Sequence, residues 1–251
     1  MASPVIGLAS FLVIFGGALL GMLAGRLLPD HHLSDQTRAA VSVSLAIVGT
    51  LSALVIGLMI SSANNSFSSR SHEVTGISVD LIRMDRQMRR YGSEADDARA
   101  KLRIYAMAKM QELFPKPEDP PRTNEATIEM LEAMQDAILS LTPTDERHRW
   151  IRSELLTLSA SLAQTRWQLD EQTGSDIPVP FIILLILWLA IVFASFGLFA
   201  PVNGIVIVSL CLSSMAVAGG IMMILELDSP FYGLIHVSGE PLRNALAQIL
   251  H

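Results

Sequence analysis

Along this chain the apolar and polar positions separate into blocks before they resolve into periodicities. Residues 1–25, 39–69 and 177–225 contain no Asp, Glu, Lys or Arg, whereas residues 70–176 hold 15 of the 18 basic and 19 of the 24 acidic side chains. A bilayer core takes roughly 20 apolar residues per helix, and charge near its centre is costly. The blocks therefore predict an all-α integral membrane protein. Four transmembrane helices are expected, with a water-exposed helical insert between the second and third.

The first span is placed at 5–28, opened by Pro4 and closed by Arg26, Pro29 and Asp30. The second begins near Ala39. Its uncharged run is too long for one crossing and its last ten residues are rich in Ser and Asn, so it is expected to leave the bilayer near Ser61 and continue into the insert. The third block suffices for two crossings. Pro201, Val202, Asn203 and Gly204 supply turn chemistry at its middle, which sets spans three and four at 177–200 and 205–225. Expected domains are thus 1–69, 70–176, 177–225, and a 226–251 tail with an interfacial loop and a short amphipathic helix.

Inside the insert, Val74, Ile77, Leu81, Met84, Met88, Tyr91, Ala95, Ala98, Leu102 and Tyr105 recur at steps of three and four. That is a coiled-coil-like seam, with Gly92-Ser93 as its point of interruption. Four prolines between Pro115 and Pro121 end this helix. A second stripe follows at Thr127, Leu131, Met134, Ile138 and Leu141, and a third at Ile151, Leu155, Leu158, Leu162 and Leu169. The seam is expected to be covered partly by these helices and partly by neighbouring subunits.

Composition adds little beyond this pattern. The chain is 51% hydrophobic with a net charge of −6, and no basic tract argues for nucleic acid. Cys211 is the only cysteine, which excludes an intramolecular disulfide. The first segment lacks a basic leader and a small-residue cleavage site, so it reads as a retained helix. Four crossings put both termini and the insert on one side of the membrane, and Arg70, Arg83, Arg86, Arg89, Arg90 and Arg166 favour the cytoplasm for that side.

Two small-residue stripes stand out. Gly17, Gly21 and Gly25 form an i, i+4 ridge suited to close helix packing, within a subunit or between subunits. Ser42, Ala46, Gly49, Ala53, Gly57, Ser61, Asn64 and Ser68 share one face of span two. That face is either a tight helix–helix seam or a pore lining, for which the candidate residues are Ser42, Gly49, Ala53, Gly57, Ser61 and Asn64. Glu226 and Asp228 at the end of span four are solvated, bind a cation, or pair with a basic residue such as Arg243. Asp30, His31, His32 and Asp35 form a loop cluster whose simplest explanation is solvation. His72, His148, His236 and His251 form no constellation. No phosphate loop, nucleophile elbow or zinc-protease helix is present, so neither an enzyme nor a cofactor is expected.

Residues 226–235, with Glu226-Leu227-Asp228-Ser229-Pro230-Phe231-Tyr232-Gly233, and residues 238–243, with Ser238-Gly239-Glu240-Pro241-Leu242-Arg243, resemble the closing signature of the bestrophin-like family of bacterial membrane proteins. The similarity extends to residues 49–58 in span two, to the helical insert and to the Pro201 hairpin. It implies a four-span bacterial membrane protein and, through the family's label, a homo-oligomeric ion channel in the lipid bilayer. Bestrophins proper use an aromatic and aliphatic neck and bind calcium through a run of acidic residues. This sequence has no such run, and Phe67 is the only aromatic in or near span two. The competing expectation is a non-conducting membrane scaffold or signalling protein whose insert docks a partner.

Overall fold

A helix whose every face is apolar needs either a protein core or a lipid around it. The computed structural model describes residues 2–29, 35–115, 124–171, 177–228, 231, 233 and 235–250. Its helices are α1 (Ala2–Leu27), α2 (Asp35–Tyr91), α3 (Asp96–Leu113), α4 (Asn124–Leu139), α5 (Glu146–Glu171), α6 (Val179–Leu198), α7 (Gly204–Leu227) and α8 (Glu240–Leu250). No strand occurs among the described residues. Helices α1, α2, α6 and α7 are long and apolar enough to cross a membrane. The chain divides into two units, Met1–Phe67 with Ser175–His236, and Ser68–Gly174 with Val237–His251. The 57-residue α2 contributes to both.

In the first unit, α1 packs on α6 and α7. The glycine ridge explains the closeness of α1 to α6. A Cβ on Gly17 would come within 2.9 Å of the Ala190 carbonyl oxygen, and one on Gly25 within 2.5 Å of that of Leu198. Gly21 meets the Ala194 carbonyl more closely still, and Gly197 returns the contact at Ala18. The ridge is therefore a packing seam within one chain. Ile14, Ala18, Met59, Ala63, Leu185, Phe193 and Ile221 join the core of α1, α2, α6 and α7. On the outside, Leu12, Leu20, Leu54, Leu58, Ile183, Leu187, Val208 and Leu212 are exposed. Large apolar side chains on the outer faces of all four helices are matched by hydrocarbon, not by water. Asn203 starts α7 by accepting the Val206 N–H at 2.8 Å.

In the second unit all ten seam residues from Val74 to Tyr105 are buried. So are Thr127, Leu131, Met134, Ile138 and Leu141, and Ile151, Leu155, Leu158 and Leu162; the Leu169 side chain lies outside the described residues. The expectation that neighbouring subunits cover part of the seam is corrected here. With α3 against α4 and α8, and α4 against α5, the apolar face is consumed inside the chain. Polar links set the register: Arg83 to Glu154 at 2.7 Å and Ser161 to Asp80 at 2.7 Å join α2 to α5. Asp85 is buried and accepts from Arg89 at 2.7 Å and from Arg99 of α3 at 2.6 Å.

The break between α2 and α3 falls at Gly92, whose φ of 112° is open to glycine and costly for other residues. His148 closes this corner. Its Nδ1 lies 2.8 Å from Asp145 Oδ1, and its Nε2 3.0 Å from the Tyr91 carbonyl oxygen. Both partners accept, so the ring is best satisfied as the doubly protonated cation. The hydrogen bond to Asp145 holds the His148 pKa above its ordinary value. A raised folded-state value stabilises fully below the unfolded value of about 6.5, and that stability is lost as pH rises through the folded value. The gap in melting temperature between wild type and His148→Gln should therefore shrink from about pH 6 to about pH 8.5. A gap that stays constant over that range would show that the ring acts by packing alone.

Candidate pore-lining face

An α-helix turns 100° per residue, so the side chains of α2 can be sorted by angle. One face, through Leu45, Val48, Ser52, Val55, Met59 and Ala63, points into the first unit; Ser52, Met59 and Ala63 are buried. A second carries Val43, Ile47, Leu51, Leu54 and Leu58, all exposed and all large. The third is the small and polar stripe, about a third of a turn from the buried face. On it Ser42, Ala53, Gly57, Ser61 and Asn64 are exposed and Gly49 is half-buried.

Exposure separates this stripe from the glycine ridge of α1. A Cβ built on Gly49 or Gly57 meets nothing within 4 Å. The α2 stripe is not a packing seam within the chain. Only 11% of the apolar window of α2 is buried, against 33% for α1 and α6. Toward the Asp35 end, a cleft of about 560 Å³ opens between α2 and α6, with Arg38, Ser42, Ala46 and Gly49 on one wall and Ser195 and Phe196 on the other. Arg38 also lines a neighbouring cleft of about 370 Å³ with Arg26 and Asp35. Between Arg38 and Arg70 the helix carries no charge. Such a surface offers hydroxyls, an amide and backbone to water or ions, and repels neither sign strongly.

At the other end of the bundle, Glu226 and Asp228 are both buried. Ser3, in the first turn of α1, donates its hydroxyl to Glu226 Oε1. A carboxylate beside the start of a helix is favoured by the partial positive charge there. Gly233 lies against the same carboxylate, where a Cβ would strike Oε2. Arg243 pairs with Glu240 at 2.9 Å within α8. Asp30, His31 and His32 lie outside the described residues. The Ser3–Glu226 bond spans 223 positions, and nothing local in the sequence announces it.

Together, four bilayer-length helices, one of them exposing a small polar face, and a helical second unit define a multi-span helical membrane protein. A family model for the bestrophin-like domain matches residues 12–242, and the chain belongs to that family. The fold is shared with a bacterial bestrophin homologue from Klebsiella pneumoniae carrying a single substitution. That chain is 13% identical with a TM-score of 0.72, and the match covers 98% of this chain and 99% of that one. A second structure of a bestrophin homologue from that organism, phased on zinc, gives 14% identity and a TM-score of 0.68, covering 95% and 96%. No curated protein sequence matches the chain.

Proposed function

We propose that the protein is a homo-oligomeric ion channel or pore of the bacterial inner membrane, conducting rather than catalytic, with copies of α2 lining the path. The observation that carries this is the small, uncharged, outward face of α2. A lipid-facing surface is served by Val43, Ile47 and Leu58, which lie elsewhere on the helix. Membership of the bestrophin-like family supports the same reading. Ser42, Gly49, Ala53, Gly57, Ser61 and Asn64 form the lining, and the insert and both termini lie in the cytoplasm.

Single cysteines at 53, 57, 61 and 64 in a Cys211→Ser background should react with a water-soluble thiol reagent, and cysteines at 54 and 58 should not. Ser61→Asp and Ser61→Lys should shift the cation-to-anion permeability ratio in opposite directions, because a ring of like charges acts at short range on permeant ions. Protection of all six cysteines in protein without conductance would leave a membrane scaffold as the function. That second reading draws on Trp150 and Trp167 of α5, which are exposed on the insert, where aromatic side chains suit partner docking.

A further inference from the structure

Three helix ends meet at one edge of the first unit. There α1 closes with Arg26, α2 opens with Asp35 and Arg38, and the turn from α6 into α7 passes through Pro201 and Val202. These residues line the cleft of about 370 Å³. Arg26, Asp35 and Arg38 are exposed, so the edge offers charge of both signs. The cleft of about 560 Å³ shares Arg38, Phe199 and Pro201 with the smaller one and runs from that edge between α2 and α6. Beyond Arg38 its walls carry no charge: Ser42, Leu45 and Gly49 stand on one side, Val192 and Phe196 on the other.

Length and polarity together specify what fits. From Arg38 to Gly49 the helix rises about 16 Å. That is the depth of one leaflet, half of a hydrocarbon core about 30 Å thick. The slot thus reaches from the bilayer edge to the region of the midplane, which is the course of a single acyl chain. A guanidinium at its mouth can donate two parallel N–H bonds to a phosphate. Ser42, one turn deeper, offers a hydroxyl at the level of glycerol esters. Asp35, in the adjoining cleft, is an acceptor for a primary ammonium. The match is one of sign and position, not of net charge; Asp30, His31 and His32 lie outside the described residues.

We propose that the two clefts form a binding site for a glycerophospholipid with an ethanolamine headgroup. One acyl chain lies between α2 and α6, the phosphate sits on Arg38 and Arg26, and the ammonium on Asp35. Cationic pockets between membrane helices are where lipid headgroups are held. Free phosphate would meet only the mouth, and a diacylglycerol only the slot. Ser42 and Gly49 also belong to the proposed lining. A chain beside them leaves Ala53, Gly57, Ser61 and Asn64, which line neither cleft, as its wetted part. The site itself does not depend on conduction.

Full-length protein in detergent, stripped of lipid, is titrated with dioleoyl phosphatidylethanolamine, dioleoyl phosphatidylglycerol and dioleoylglycerol, and bound lipid is measured by native mass spectrometry. The ethanolamine lipid should bind tightest and the diacylglycerol least. Arg38→Gln should weaken both phospholipids about tenfold and leave the diacylglycerol unchanged. Asp35→Asn should erase the preference for ethanolamine over glycerol. Gly49→Leu fills the deep end of the slot, where an added Cβ meets nothing within 4 Å, so the subunit should keep its fold and lose all three lipids. In nanodiscs of the ethanolamine lipid, electron cryomicroscopy should show a chain between α2 and α6. Unchanged phospholipid affinity in Arg38→Gln, equal binding of all three lipids as for annular lipid only, or a neighbouring copy filling the slot overturns the proposal. Lipid bound in protein that does not conduct would keep the site and remove the channel reading; conducting protein with no lipid in the slot would do the reverse.

Discussion

Gly21→Leu is expected to yield no monodisperse protein, whereas Gly57→Leu keeps the fold and suppresses current. The two substitutions are chemically identical and lie on helices that both cross the bilayer. At Gly21 even a Cβ collides with the backbone carbonyl of Ala194. A backbone oxygen cannot swing away as a flexible side chain would, so α1 and α6 must separate along the whole ridge. Overpacking of this kind costs on the order of 3 kcal/mol or more. In a bilayer the loss is sharpened, because close backbone approach is itself what drives association. At Gly57 nothing lies within 4 Å of the added carbon. A leucine there projects from the outward face and, in a pore, fills the path from every subunit. Size-exclusion profiles with melting curves report the first effect, and planar-bilayer recording the second. If Gly57→Leu instead breaks up the oligomer while the subunit stays folded, the α2 stripe is a seam between copies.

Met84→Asp should unfold the insert. Met84 has no solvent exposure and sits midway along the seam, among residues buried on both sides of it. A carboxylate there has no designated donor, and an unpaired buried charge costs several kcal/mol, comparable to the whole stability of a typical domain. Met84→Leu conserves volume and should cost less than about 1.5 kcal/mol. Loss of helical circular dichroism and rapid proteolysis within 70–170 check the first, and near-native melting the second. Retained helicity with a smaller oligomer would move the seam from the chain's interior to its interfaces.

The periodicities carry most of the fold because they follow from geometry that each segment satisfies alone. The seam from Val74 to Tyr105 and the stripes in α4 and α5 are apolar at helical spacing, and the described residues on them are buried. What the spacing lacks is the partner. The α1 ridge at Gly17, Gly21 and Gly25 is plain in the sequence, yet only the structure assigns it to α6. The outward direction of the α2 stripe is likewise visible only against the opposite face, through Met59 and Ala63, that enters the core. Lys109 and Glu112 were legible in phase but disguised in chemistry. A charged residue in register with a seam reads as a solvated flank, whereas Lys109 is buried and pairs with Glu112, which also accepts from Thr127 of α4.

The uneven burial of the four spans has a mechanical consequence. Helices α1 and α6 are locked backbone to backbone, so any sliding between them must first break the contacts of an entire ridge. Segments with few buried contacts open and shift at the lowest free energy. Among the spans α2 is the least buried, so within the first unit a shift of α2 should cost less than one between α1 and α6. A turn of α2 by about a third of a revolution would exchange its small polar face for Leu54 and Leu58. Such a turn would also carry Met59 and Ala63 out of the first-unit core, and, because α2 runs unbroken to Tyr91, Val74, Ile77 and Leu81 out of theirs, so the buried residues of α2 tie any movement of its polar face to repacking at both ends of the helix.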